Sequence, residues 1–127
     1  MNEFLLNDLV LVTALTGGVF IIMGFFMKKY PPKKINSLYG YRTPSSMKTQ
    51  ERWDFSQKYA AAEMIRTGFL LLVLGVLGSF INLSQTWNVS LGLGLVIAMS
   101  ILMIVKVEKA IRSKFKHLEN KKNKTTI

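Results

Sequence analysis

The sequence contains no cysteine and a single histidine, His117. Without cysteine the chain forms no disulfide and offers no thiolate as a nucleophile or metal ligand. One histidine and seven acidic residues also leave little material for a metal centre or for an activated nucleophile. No phosphate-binding glycine loop and no Ser-His-Asp set is visible. We therefore predict a protein that is not an enzyme and that needs neither a metal nor a cofactor.

Charge is missing from three long stretches of the chain, which cover residues 9–27, 67–83 and 89–105. As helices, these nearly all-apolar stretches are about 25–28 Å long, close to the hydrocarbon thickness of a bilayer. A soluble domain of 127 residues has no need of three such runs. The sequence therefore predicts an all-α membrane protein with three transmembrane helices, at about 9–27, 64–83 and 88–106.

The three spans indicate one membrane domain, residues 1–118, followed by a basic polar tail, residues 119–127, where the last helix frays near Glu119. No basic residue precedes the first apolar run, which is also longer than the apolar core of a signal peptide. We therefore expect the first span to be retained in the mature protein.

The 17 basic residues outnumber the 7 acidic ones, and they fall into two blocks. Nine lie in residues 28–66 and eight in residues 106–124. The positive-inside rule then predicts a cytoplasmic connector, residues 28–63, and a cytoplasmic C-terminus, with the N-terminus outside. No recognition helix or aromatic RNA platform accompanies the charge, so we expect anionic lipid headgroups rather than nucleic acid as its partner.

The connector combines a basic, proline-containing exit from the first span with a stretch of helical pattern. Thr43 is a suitable N-cap and Pro44 suits the first helical position, so a helix is predicted from Pro44 onward. Trp53, Gln57 and Ala60 share one face of that helix. This pattern favours an amphipathic helix at the cytoplasmic headgroup boundary, between the first and second spans and continuous with the second.

Arg42 stands directly before the predicted helix start. One interpretation is an anion-binding corner, formed by its guanidinium and the free N–H groups of the first helical turn. The other is that Arg42 only ties its own loop down, through Glu51, Asp54 or nearby carbonyl groups.

Glu63 and Arg66 lie at the membrane boundary of the second span, three residues apart. Arg66 either extends to the interface with Glu63 as its partner, or it is a functional charge inside the membrane.

Small residues recur at four-residue spacing in every span, which allows close helix approach in lipid. They predict contact faces within a three-helix bundle or a homo-oligomer, at Thr13–Gly17, Ala14–Gly18, Gly75–Ser79 and the Ser90–Gly94–Ala98 row.

The connector also carries a specific motif, N-x3-G-x-R-T-P-x3-K-x4-W, with two tyrosines around its glycine. The glycine allows a positive φ or a close backbone approach. The nine positions that we select as the motif and binding residues are Asn36, Tyr39, Gly40, Tyr41, Arg42, Thr43, Pro44, Lys48 and Trp53.

This motif, placed between a first and a second span, resembles that of the SdpI family of bacterial membrane proteins, here in a short three-span form. The best-known member is an immunity protein against a secreted toxic peptide, and it also sequesters a transcriptional repressor at the membrane. Longer members carry extra spans ahead of the motif, and have Trp-Thr in place of Ser45-Ser46 and Thr-His in place of Ser56-Gln57. The resemblance implies the bacterial cytoplasmic (inner) membrane.

The function that follows from this resemblance is immunity to a membrane-active peptide toxin or a related signalling role. A protein partner in the membrane or a cytoplasmic regulator would accompany it. The alternative is an accessory subunit or lipid-binding scaffold of a larger membrane complex. An ion path is disfavoured because the spans contain few polar groups and no charge except Arg66.

Overall fold

The protein consists of three long helices, as a computed structural model of residues 7–125 shows. They are α1 (Asp8–Lys29), α2 (Gln50–Gly78) and α3 (Gln85–Thr125). All three are long and apolar enough to cross a membrane, with mean hydropathies of 2.4, 1.8 and 2.3 over their best windows. The prediction of an all-α protein with three helices long and apolar enough to span a membrane is confirmed. The remainder of the predicted domain and tail, residues 1–6 and 126–127, lies outside the described residues.

The bounds of α1 follow from its capping residues. Asn7 is the N-cap, and its Oδ1 accepts hydrogen bonds from the backbone N–H groups of Leu9 at 3.0 Å and Val10 at 3.4 Å. Lys28 and Lys29 occupy the last turn, where positive charge complements the helix dipole. The apolar segment is therefore delimited by a cap at one end and by cations at the other.

The second helix begins at Gln50, so the predicted start at Pro44 is wrong. Thr49 is the N-cap, and its hydroxyl accepts from a backbone N–H of the first turn at 3.1 Å. Pro44 belongs instead to an isolated turn, where the Thr43 N–H donates to Ser46 Oγ at 2.9 Å and the Ser46 N–H donates to Thr43 Oγ1 at 3.2 Å. This reciprocal pair is of the capping-box type, with Thr43 as the cap, but the turn that it caps ends before Thr49 begins α2.

A separate interfacial helix is not seen between α1 and α2 in the described residues, because the predicted amphipathic segment forms the first turns of α2 itself. Its apolar face is covered by protein: Ala60 packs in a buried cluster with Val107, Ile111 and Phe115 of α3. Trp53, on the same face, is fully buried. The extension of α3 thus takes the place predicted for lipid headgroups.

A short connection joins α2 to α3 at residues 79–84, slightly earlier than the apolar run suggests. The helix α2 ends at Gly78, and the Ser79 N–H donates to the Gly75 carbonyl at 3.1 Å. Trp87 lies in the first turn of α3 and is 61% exposed. The two helices are consequently antiparallel neighbours, as their short connection requires.

The third helix continues to Thr125 rather than fraying near Glu119. No glycine or proline interrupts it after Gly94. Glu119 also pairs with Arg52 of α2, with 3.1 Å between its Oε1 and the guanidinium NH2. Helix-forming residues and this pairing extend α3 well past its apolar segment.

The first two helices touch backbone to backbone at glycines. A Cβ added at Gly17 would lie 2.7 Å from the Gly68 carbonyl oxygen, and one added at Gly68 would lie 2.6 Å from that of Gly17. One turn further, Thr13 fills the space over Gly75. The predicted Thr13–Gly17 face is therefore the contact between α1 and α2, whereas Gly94 faces open space.

Candidate functional site

Both basic blocks lie at one end of the bundle, which we call the motif end (residues 28–63 and 106–125). Three contacts between these segments show it: Tyr41 with Glu108 at 2.8 Å, Arg52 with Glu119 at 3.1 Å, and Lys106 with Glu63 at 3.9 Å. The two blocks therefore fit on a single side of a membrane, as the orientation prediction requires.

Asn36 and Tyr39 attach the beginning of the motif to the end of α1. Asn36 Oδ1 accepts from the backbone N–H groups of Leu38 at 2.9 Å and Tyr39 at 2.7 Å, which closes a local turn. The Tyr39 hydroxyl donates to the Tyr30 carbonyl at 2.8 Å, and its ring meets Phe26 edge-on at 5.9 Å. Desolvation raises the pKa of Tyr39 above its ordinary value.

Gly40 shows both features expected of it, a positive φ and a close backbone approach. Its φ is +113°, in the region that favours glycine. A Cβ there would lie 2.6 Å from Gln57 Oε1 and 2.8 Å from Pro32 Cγ. The close approach lets the Gln57 amide bracket Tyr41, accepting from its N–H at 2.6 Å and donating to its carbonyl at 2.8 Å.

Trp53 is buried beneath the motif loop. Its side chain is 0% exposed, and its indole N–H donates to the Pro32 carbonyl at 2.7 Å. The indole therefore joins the proline exit from α1 to the first turns of α2, and a buried N–H finds the partner it requires.

Glu108 of α3 is the residue that sequence reasoning missed. Its Oε1 accepts hydrogen bonds from the Tyr41 hydroxyl at 2.8 Å and from the Thr43 hydroxyl at 2.7 Å. The signal that could have identified it is its sign, since residues 106–124 hold only two acids among eight bases. Burial and the neighbouring Glu108 carboxylate both raise the pKa of Tyr41, far above that of a free phenol.

Arg42, Pro44 and Lys48 form the exposed part of the motif. The Arg42 guanidinium donates to the Ser37 carbonyl, which is the contact expected if Arg42 ties its own loop. The anion-binding corner lacks its helical N–H groups, because α2 begins at Gln50. Lys48 makes no ion pair within residues 7–125.

Glu63 and Arg66 form the predicted pair, with 3.0 Å between Glu63 Oε1 and the guanidinium NH1. Glu63 is 3% exposed, whereas the Arg66 side chain is 72% exposed and extends away from the bundle. Lys106 of α3 adds a second cation, 3.9 Å from Glu63 Oε2. A buried carboxylate with charged partners from two helices ties α3 to α2 at the level where the spans begin.

The motif and the helices around it match a known protein family. The family model of the SdpI/YfhL protein family matches residues 33–105, which include all nine motif positions. The chain belongs to the SdpI/YfhL family. A relative described as "Uncharacterized protein YfhL", from Bacillus subtilis (strain 168), is 38% identical over 97 residues, which are 76% of this chain and 82% of that protein. No solved structure matches.

Ser46 and Gln57 of this SdpI/YfhL protein, one residue from each of the two pairs at which we expect it to differ from longer members, meet at Tyr41. Ser46 Oγ donates to the Tyr41 carbonyl at 3.0 Å, and Gln57 Nε2 donates to the same oxygen at 2.8 Å. Both side chains are buried. Ser45 and Ser56, the other two residues of these pairs, both bond to Arg52 instead.

Proposed function

We propose that this SdpI/YfhL protein is a non-catalytic protein of the bacterial cytoplasmic membrane that confers immunity to a membrane-active peptide toxin. In this proposal the motif end faces the cytoplasm and carries the signalling contact with a regulator. Family membership supports the immunity role, through the resemblance to the family's best-known member. The two basic blocks at one end of the bundle support the orientation.

The observation that carries the proposal is that some motif residues hold the loop in place while others are exposed to solvent. Contacts of Gly40, Tyr41 and Trp53 hold the loop to the helices. Arg42, which also donates to the Ser37 carbonyl, and Lys48 remain exposed on the outer surface of that loop. A fixed, cationic surface suits recognition of an acidic partner rather than catalysis, and the sequence offers no nucleophile–base pair beside it.

The test is a gene deletion followed by a challenge with a panel of membrane-active peptides. We expect the deletion strain to be more sensitive to at least one peptide, and the wild-type gene to restore resistance. Arg42→Ala should fail to restore it while the protein still accumulates in the membrane. Lys116→Ala, which removes an exposed cation of α3 outside the motif, is the matched control and should restore resistance fully. Equal sensitivity of the deletion and wild-type strains across the panel would contradict the immunity role.

The alternative function, an accessory subunit or lipid-binding scaffold of a larger membrane complex, is favoured by the surface of α3. Only 11% of its most apolar segment is buried within the bundle. In the membrane such a face is open to lipid, to a second copy or to another membrane protein. Purification in mild detergent after crosslinking in cells distinguishes these functions, because a scaffold would be recovered with stoichiometric partners in the absence of any toxin.

A further inference from the structure

A groove between α1 and α2 at the motif end is separate from the motif surface. It encloses about 520 Å³, a volume within the range of small-molecule sites. Its floor is apolar and is formed by Ala61, Ala62 and Ile65 of α2. Three cations surround this floor: Lys28 at the end of α1, and Lys58 and Arg66 of α2.

The positive charge of the groove is only partly compensated, because Glu63 pairs with Arg66 but not with the two lysines. No acidic residue lines it. The nearest acid in sequence, Glu63, is buried and occupied by Arg66 and by Lys106 of α3. Lys28 and Lys58 make no ion pair within the part of the chain that the structure describes.

The groove also lies at the boundary of two predicted spans, where lipid headgroups are expected. Lys28 directly follows the apolar run of α1. Gly24 lies against the groove floor, since a Cβ added there would be 2.6 Å from Ile65 Cγ1. Arg66 therefore leaves α2 about one helical turn inside the end of the span, while Lys28 stands at its boundary. Below Arg66 the surface is apolar, where Phe69 is 52% exposed.

We propose that this groove binds one anionic phospholipid of the adjacent leaflet. The lipid phosphate lies among Lys28, Lys58 and Arg66, and an acyl chain runs down the exposed apolar surface beside Phe69. A lipid fits better than a free anion because the groove is cationic at its rim and apolar in its floor and below. The proposal is independent of any role in toxin immunity and of the orientation in the cell.

The experiment measures the lipid that the purified full-length chain retains from nanodiscs. The discs contain phosphatidylcholine with a minor fraction of phosphatidylglycerol, and native mass spectrometry counts the bound lipids. Because both leaflets of a disc are accessible, the result does not depend on topology. We expect one phosphatidylglycerol to be retained per chain in preference to phosphatidylcholine.

Two variants and one matched control separate a built site from general attraction. The double variant Lys28→Gln/Lys58→Gln should weaken the preference by roughly tenfold or more, given the attraction per cation at an anionic surface. Ala62→Trp fills the groove without changing charge and should also abolish the preference. The control, Lys109→Gln/Lys116→Gln, removes two cations from α3 at the same end and should retain it.

Three outcomes would overturn the proposal. The first is an unchanged lipid preference in both groove variants, and the second is an equal loss of preference in the α3 control. The third is that inorganic phosphate displaces the bound lipid at the same concentration as an acylated glycerol phosphate does. The last outcome would identify a simple anion site. Size-exclusion profiles and helical circular dichroism of each variant show whether the bundle is intact. Because Ala62→Trp changes volume and the double variant changes charge, the proposal stays testable with one variant if the other misfolds.

Discussion

Tyr41 donates its phenolic hydrogen to Glu108 Oε1 at 2.8 Å, across 67 residues of sequence. The same oxygen accepts from Thr43 at 2.7 Å. These bonds fasten the centre of the motif loop to the extension of α3, while Gln57 holds the Tyr41 backbone to α2. The motif therefore depends on a residue far outside it, and two consequences can be measured.

The first prediction concerns the titration of Tyr41. Burial and the Glu108 carboxylate raise its pKa, so in the native protein one phenol should ionise well above the usual value of about 10. Glu108→Gln removes the negative charge, and this late phase in phenolate absorbance should move to lower pH. Tyr41→Phe should abolish the phase, and Glu119→Gln should leave it in place. A late phase unchanged in Glu108→Gln would show that burial alone sets it.

The raised pKa also fixes the sign of a stability effect. The folded state holds the Tyr41 proton more tightly than the unfolded chain does, so docking of the loop is stabilised at pH values below about 10. As the pH rises further, that stabilisation is lost progressively. Limited proteolysis of the loop in detergent should accelerate over this alkaline range, and in Glu108→Gln the acceleration should be smaller and should level off at lower pH.

The second prediction concerns the backbone at Gly40. Gly40→Ala places a Cβ against Gln57 and Pro32 at a positive φ, so we expect it to lower stability by about 1–3 kcal/mol. The thermal transition of the purified protein in detergent reports the change. Gly94→Ala is the matched control, because nothing lies within 4 Å of the added Cβ. A melting temperature for Gly40→Ala equal to that of the control would contradict the role given to the tight contact.

The third prediction compares two adjacent glycines of α1. Gly17→Ala pushes a methyl group into the Gly68 carbonyl of α2, and overpacking of this kind costs about 1–3 kcal/mol. Gly18→Ala meets nothing within 4 Å and should be neutral or slightly stabilising. Detergent denaturation of the two variants side by side measures the difference. Identical transitions would mean that α1 and α2 do not depend on this close approach.

The sequence was sufficient for the three apolar helices and for the Thr13–Gly17 contact face, because long uncharged runs with small-residue spacing are typical of helices packed in lipid. The same spacing at Ala14–Gly18 and around Gly94 does not mark a contact, since nothing lies within 4 Å of a Cβ added at Gly18 or Gly94. It also identified the Glu63–Arg66 pair, which is local in sequence. It was wrong about the start of α2, since Thr43 and Thr49 both cap a turn and only the turn capped by Thr49 continues as a helix. Glu108 could not be assigned, because its partners lie 65 and 67 residues away.

The same limit accounts for the interfacial helix. A face that carries Trp53 and Ala60 is apolar whether lipid or protein covers it. The residues that cover this face at Ala60, namely Val107, Ile111 and Phe115, form a helical stripe beyond the last predicted span. The first turns of α2 are amphipathic as predicted, but their apolar face packs against the apolar stripe of α3 rather than against lipid.

The fourth prediction concerns orientation across the membrane. The absence of cysteine makes the native chain an unreactive background, so a single introduced cysteine reports one position. Lys48→Cys lies on the exposed motif loop, and Thr86→Cys lies at the opposite end, in the first turn of α3. With two basic blocks at the motif end, we expect a membrane-impermeant maleimide to label Thr86→Cys in intact protoplasts and Lys48→Cys only after lysis. Labelling of Lys48→Cys from outside would reverse the orientation, and it would place the motif where a secreted peptide, rather than a cytoplasmic regulator, could contact it.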